Sequence, residues 1–206
     1  MIRVMILAGG RADRNWIDKY NTTRHLLNVF DEPLIHHTQT QLLKRGITNI
    51  EVYCDEKLFD RYVIDGCTAI NSPEVMDSHE CLMWYYREYI ANFEGKTILL
   101  YGDCYYSDGI MDKIINSDEE WYIFARSNPS IITGKQYPEM YAWSFNQHIA
   151  KVIVNLSIIA KELPKAFEWG EEQADYILYR MLCGLPEKEF VIDTKSEVAK
   201  NCDLNG

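Results

Sequence analysis

The sequence is poor in the features that would point to several large classes of protein. Basic residues are outnumbered, with 21 Lys and Arg against 31 Asp and Glu and a formal charge of -10. That balance argues against a nucleic-acid partner, because phosphate-backbone binding needs a cationic face. No apolar run reaches membrane-spanning length, and no leader pattern is evident, so a cytoplasmic protein with no membrane partner is expected. The six cysteines, Cys54, Cys67, Cys81, Cys104, Cys183 and Cys202, have no paired spacing, and reduced thiols are expected. His25, His36, His37, His79 and His148 do not space like zinc ligands, and no convincing Ser-His-Asp or Cys-His arrangement occurs. Pro-, Gly- or Ser-rich stretches, low-complexity runs and internal repeats are missing too, which leaves no linker and predicts one domain over 1–206.

What is present is an alternation of strand-like apolar runs with helix-length amphipathic ones. This pattern predicts an α/β fold, a mixed, mostly parallel central sheet with helices on both faces. "IRVMIL" at 2–7 reads as the first strand. "PLIHHTQTQLLKRG" then places Leu34, Ile35, Thr38, Leu42 and Leu43 on one helical face, with Pro33 near its start and Gly46 as its stop. "NIEVYC" follows as a strand parallel to the first, because a β-α-β crossover implies that pairing. A short strand ends at Ile70, a helix over 79–93 carries an aromatic stripe, and "KTILLYGD", "EEWYIFAR" and "EMYAWSF" read as further strands. Helices over 155–167 and 171–183 and a last strand, "EFVID", complete the expectation.

In open α/β sheets, sites form where the carboxyl ends of strands gather. The first strand ends in Ala8-Gly9-Gly10, a second in Gly102-Asp103 and the last in Asp193. Glycines let backbone N–H groups approach a nucleotide closely, and Arg11 and Arg14 stand one short loop away, where they can meet its phosphates. The loop is neither a P-loop, since no Gly-Lys-Ser/Thr follows, nor the dinucleotide fingerprint, since its third glycine is missing. Asp103 and Asp193 would together suit a divalent metal bound through oxygen. An aspartate after a strand is also an ordinary turn former or N-cap, and a strand followed by Gly-Gly is also an ordinary tight turn.

"LAGGRADR", "NTTRHLLNVFDEPLIHHTQTQLLKRGITNIEVYC", "ILLYGDCYYSD" and "VIDTKSEV" together resemble the nucleotidyltransferase family with the GT-A type fold, in that family's order and spacing. Leu7, Ala8, Gly9, Gly10 and Arg14 stand at positions of its opening motif, and Arg24 takes the place of its lysine. Gly102-Asp103 resembles its first metal-binding aspartate, and Asp193-Thr194 its second. The resemblance implies a Mg2+-dependent enzyme that moves a nucleoside monophosphate from an NTP to a phosphorylated small molecule and releases pyrophosphate. It also implies a nucleotide-binding part over about 1–126, an acceptor part over about 127–188, and a last strand with the second metal ligand over 189–194. Arg14, Arg24 and Asp103 would be catalytic, while Leu7, Ala8, Gly9, Gly10, Arg11 and Ser78 would hold the nucleotide. The chain departs from the family at Ala12, which stands where a third glycine is usual, and at Asp13, which stands where a small hydroxyl residue is usual.

The segment "INSPEVMDSHECL" is closer to the phosphocholine cytidylyltransferase branch than to the hexose-phosphate branches, which favours CTP and puts Ser78 at a helix N-terminus near the base. Ser78 or Asp77 is equally readable as a plain N-cap. In "TGKQYPEMYAW", strand alternation gives Tyr137, Glu139, Tyr141 and Trp143 one face, an aromatic wall with one acid that would suit a cationic acceptor head. Lys135 would supply charge to the acceptor's phosphate. The same residues would also make an ordinary amphipathic strand. A homo-oligomer is compatible with the sequence. Two other readings stay open: a GT-A type glycosyltransferase using a finished nucleotide sugar, and a catalytically silent nucleotide-binding protein.

Overall fold

A computed structural model of the chain describes residues 1–9, 21–72, 90, 92–126, 139–162, 182 and 183. Its centre is a six-stranded sheet with spatial order β5-β4-β1-β6-β8-β7. The strands are β1 (Ile2–Leu7), β4 (Ile50–Cys54), β5 (Thr68–Asn71), β6 (Lys96–Tyr101), β7 (Trp121–Arg126) and β8 (Glu139–Phe145). Asn28–Val29 (β2) and Glu32–Pro33 (β3) form a separate small hairpin. β1 pairs in parallel with both β4 and β6, and β4 pairs in parallel with β5, whereas β8 runs antiparallel to β6 and β7. The mixed, mostly parallel sheet expected from the sequence is the one observed.

Alternation along the central strands divides the core into two layers. Met5, Leu7, Tyr53 and Leu99 face a layer that includes Trp143, Phe145 and, from the helix Gln147–Glu162, Ile149, Ala150 and Ile153. Val4, Ile6, Val52, Ile98 and Leu100 face the other, closed by Ile35 and Leu42 of α1 (Leu34–Lys44), Tyr62 of α2 (Phe59–Tyr62) and Met111 and Ile114 of α3 (Asp108–Ile115). We label Gln147–Glu162 α4. Arg45 ties α1 to α3 through ion pairs of 2.8 Å to Asp108 and 2.6 Å to Asp112. Gly46, at φ 76°, ends α1 in the left-handed conformation that a glycine reaches without strain, as expected of the stop.

Three helices differ from expectation: α4 in its start, and α2, a single turn, and α3 in being present at all. α4 begins at Gln147 rather than 155, because Asn146 Oδ1 accepts a hydrogen bond of 3.0 Å from the Ile149 N–H and so starts the helix two turns earlier. α3 is not signalled by periodicity at all, being only eight residues long. Apart from 90, 92, 93, 182 and 183, the expected helices over 79–93 and 171–183 and the strand over 189–193 lie outside the described residues. No helix among the described residues is long and apolar enough to cross a membrane.

β8 carries a bulge. Phe124 pairs with Ala142 and Ala125 with Met140, so Tyr141 is an extra residue with no cross-strand partner in β7. The expectation that Tyr141 and Trp143 share a face is corrected here: Trp143 is buried in the layer with Leu99, while Tyr141 packs against the opposite layer. One inserted residue shifts alternation by one position, and every residue beyond it changes side.

Candidate active site

The strand order changes direction at β1. The chain leaves β1 for β4 on one side and later returns to β6 on the other, which makes the β1–β6 boundary the switch point where a crevice is expected in this class of sheet. Residues from three separate segments meet there. Leu7 ends β1 and leads into Ala8 and Gly9, and Gly102-Asp103 follows β6 directly. The Gly102 N–H donates to the Leu7 carbonyl at 2.8 Å, and the Ala8 N–H donates to the Tyr53 carbonyl at 2.8 Å. These bonds carry the sheet past its last regular pair and fix both chain ends.

A side chain at residue 102 would be crowded. A Cβ there would lie 3.0 Å from the Leu7 carbonyl oxygen, 3.2 Å from the Ala8 Cβ and 3.2 Å from the His25 Cδ2. The backbone of residue 102 is thereby wedged between β1 and the third segment, a short 3-10 turn over Arg24–Leu26. From that turn Arg24 reaches Asp103, with Nη1 3.0 Å from Oδ2. The pair is partly open to solvent, with side chains 46% and 26% exposed respectively. Beside it the His25 ring is buried, and burial pulls its pKa from 6.5 down to about 4. The Asp103 carboxylate opposes that fall and the Arg24 guanidinium adds to it. His25 is therefore a neutral ring packed under the charged pair at neutral pH. Tyr62 holds the turn from below, its hydroxyl donating 2.6 Å to Thr23 Oγ1 and lying 3.4 Å from His25 Nδ1.

Tyr106, a core residue 1% exposed, was not signalled by the sequence. Its buried hydroxyl joins β6 to β8, 3.0 Å from the Tyr101 carbonyl and 2.6 Å from the Tyr141 carbonyl, and accepts from the Tyr101 N–H at 3.0 Å. A lone tyrosine in a loop gives no periodic cue to such a role. Burial pushes the Cys54 thiol up to about 12 and the Cys67 thiol up to about 11.

Of the residues singled out in the sequence, the structure brings Leu7, Ala8, Gly9, Arg24 and Asp103 to one end of the β1–β6 pair. Trp143 is 1% exposed and belongs to the core, and Tyr141 is half-buried on the other face of the sheet. Glu139 is described in its backbone only. Gly10, Arg11, Arg14, Ser78, Lys135 and Asp193 lie outside the described residues.

No family model and no curated protein matches the sequence. The fold does match solved structures. A Bacillus anthracis protein described as a glucose-1-phosphate thymidylyltransferase, crystallised with sucrose, matches with a TM-score of 0.56 and 16% identity over 88% of this chain and 84% of its own. The CTP:phosphocholine cytidylyltransferase of Streptococcus pneumoniae matches with a TM-score of 0.51 and 16% identity over 78% of this chain and 77% of its own. At such identities the likeness is one of fold, and it is the fold that the sequence resemblance implied.

Proposed function

We infer that the protein is a nucleotidyltransferase, moving a nucleoside monophosphate from an NTP to a phosphorylated small-molecule acceptor. The observation that carries this reading is the meeting of Ala8-Gly9, Gly102-Asp103 and Arg24 at the switch point of the sheet. Such a place offers one cationic fork and one carboxylate, a set suited to a polyphosphate with its cation and not to a neutral ligand. The names carried by the two fold neighbours, a sugar-phosphate and a phosphocholine enzyme, support an acceptor that brings its own phosphate.

In this reading the backbone of Leu7, Ala8, Gly9 and Gly10 lies along the nucleotide, with Arg11 and Ser78 completing its contacts. Arg14 and Arg24 hold the phosphates, and the acceptor is met by the segment around Lys135, Glu139 and Tyr141. The buried indole of Trp143 would act only by supporting that segment from the core. An oxygen of the acceptor's phosphate attacks the α-phosphorus, the bond from that phosphorus to the bridging oxygen breaks, and pyrophosphate leaves with the electron pair. An ionised phosphate is already nucleophilic, so no general base is required, which is consistent with a neutral, buried His25.

Asp103 offers the hard oxygen that Mg2+ prefers, with Asp193 as its proposed companion. Mg2+ commonly takes one or two carboxylates and completes its shell with phosphates and water, so a sparse protein donor set fits it. When bound, the ion would supply positive charge against the charge developing on the phosphates. CTP is the favoured nucleotide from the residues around Ser78.

The test is an incubation of the protein with each NTP in turn, Mg2+ and a panel of phosphorylated acceptors including sugar 1-phosphates and phosphocholine. Pyrophosphate release with at least one pairing is expected. Release with none, alongside calorimetric NTP binding, would replace this reading with the silent nucleotide binder, and hydrolysis of a nucleotide sugar without pyrophosphate would replace it with the glycosyltransferase.

A further inference from the structure

Arg24 and Asp103 are each assigned a different ligand by the reading above, yet in the structure they hold each other. The guanidinium occupies Oδ2 of the carboxylate, and the other oxygen, Oδ1, lies 4.0 Å from the Cys104 thiol. The backbone on both sides is pinned. The Gly102 N–H is bonded to the Leu7 carbonyl at 2.8 Å, and the Arg24 turn is tied through Thr23 to Tyr62. What can move is the Arg24 side chain, nearly half exposed on several rotatable bonds.

We propose that Arg24 is the built-in counter-ion of Asp103, keeping a divalent cation off the carboxylate until a nucleotide's phosphates draw the guanidinium away. The proposal rests on the nucleotidyltransferase reading for the identity of the incoming polyanion. Its logic is ion exchange. A free cation must displace Arg24 and face its charge, so it binds poorly alone. A triphosphate offers the planar fork several oxygens at once, a better partner than one half-exposed carboxylate. Once the fork turns to phosphate, Asp103 is left as an uncompensated anion and the cation becomes its natural partner. Cation and nucleotide therefore bind as a mutually dependent pair, each raising the other's affinity by the same factor. Asp103 is spared from standing as a bare carboxylate in a chain that already carries a net charge of -10.

The test uses Mn2+ as the probe, with the free ion counted by electron paramagnetic resonance in the absence of nucleotide, on the full chain. Arg24→Gln should bind Mn2+ about tenfold more tightly than wild type, roughly one ion pair's worth at a partly exposed site. Arg24→Lys, which keeps the charge, should stay near wild type. Adding Asp103→Asn to Arg24→Gln should abolish the gain. In wild type, CTP should raise Mn2+ affinity by more than it does in Arg24→Gln. Equal Mn2+ affinity in wild type and Arg24→Gln overturns the proposal, and so does a gain that survives Asp103→Asn. A wild type that releases pyrophosphate while the two affinities are equal sinks the exchange and leaves the enzyme reading standing. A tenfold gain removed by Asp103→Asn, in a protein that releases no pyrophosphate with any pairing, supports the counter-ion role and sinks the reading.

Discussion

The two ends of the β1–β6 pair treat an arginine in opposite ways. At the carboxyl end Arg24 is 46% exposed and sits on a carboxylate. At the amino end Arg3 is 6% exposed and has no acidic partner among the described residues. Its Nη2 reaches the Thr97 hydroxyl at a long 3.4 Å, its guanidinium lies 4.5 Å over the Phe93 ring, and its Nε is buried without a partner. A charge in contact with water can change partners cheaply, because solvent covers the intermediate arrangement. A buried charge cannot, and its desolvation is offset only by whatever permanent contacts surround it. The open end is thus equipped for exchange and the closed end for permanence, although the same two strands build both.

The contrast breaks most visibly at Asp103. Asp103→Asn keeps the shape of the side chain and removes the charge, and pyrophosphate release should fall by about 10²-fold or more, the scale of losing one electrostatic stabiliser. The melting temperature should change little, because the carboxylate is partly exposed. An unchanged rate would leave the open end with no chemical role.

Next in size is the effect of acid on the ligand-free protein. His25 has a folded pKa near 4 against 6.5 unfolded, so between those values the unfolded chain binds the extra proton. Its contribution is complete above about pH 6.5 and is lost as pH falls toward 4, up to about 3 kcal/mol in total. Denaturant titrations from pH 7 to pH 4 should show this loss in wild type and a smaller one in His25→Gln. Parallel curves for the two proteins would mean that the ring is not held neutral beneath the pair.

The smallest effect is expected at the closed end. Arg3→Met replaces a buried guanidinium by an apolar chain of comparable length, and stability should change by less than about 1.5 kcal/mol or rise, since isosteric replacement of buried charge is often neutral or favourable. Thermal denaturation gives the answer. A marked loss would show that a carboxylate compensates Arg3 after all, and the two ends would no longer differ in kind.

Local pattern was enough to place β1, α1 with its Gly46 stop and the strand that delivers Gly102-Asp103, because apolar periodicity and helix-ending glycines act within a few residues. It also put Ala8-Gly9 and Asp103 at strand ends, and so at one side of a parallel sheet. It failed where one residue mattered more than a pattern. The extra Tyr141 reverses the faces of β8, and Asn146 moves the start of α4 by eight positions.

By itself, then, the sequence determined the class of sheet, the direction of its central strands and the polar residues that end them, since each follows from chain-local preferences. Only the tertiary structure decided that Arg24 closes on Asp103, that His25 is buried beneath them, and that the Tyr106 hydroxyl joins β6 to β8. Those contacts join segments far apart in the chain. They are set by how β1, β6 and the Arg24 turn pack in three dimensions, and no periodicity along one segment encodes the distance to another.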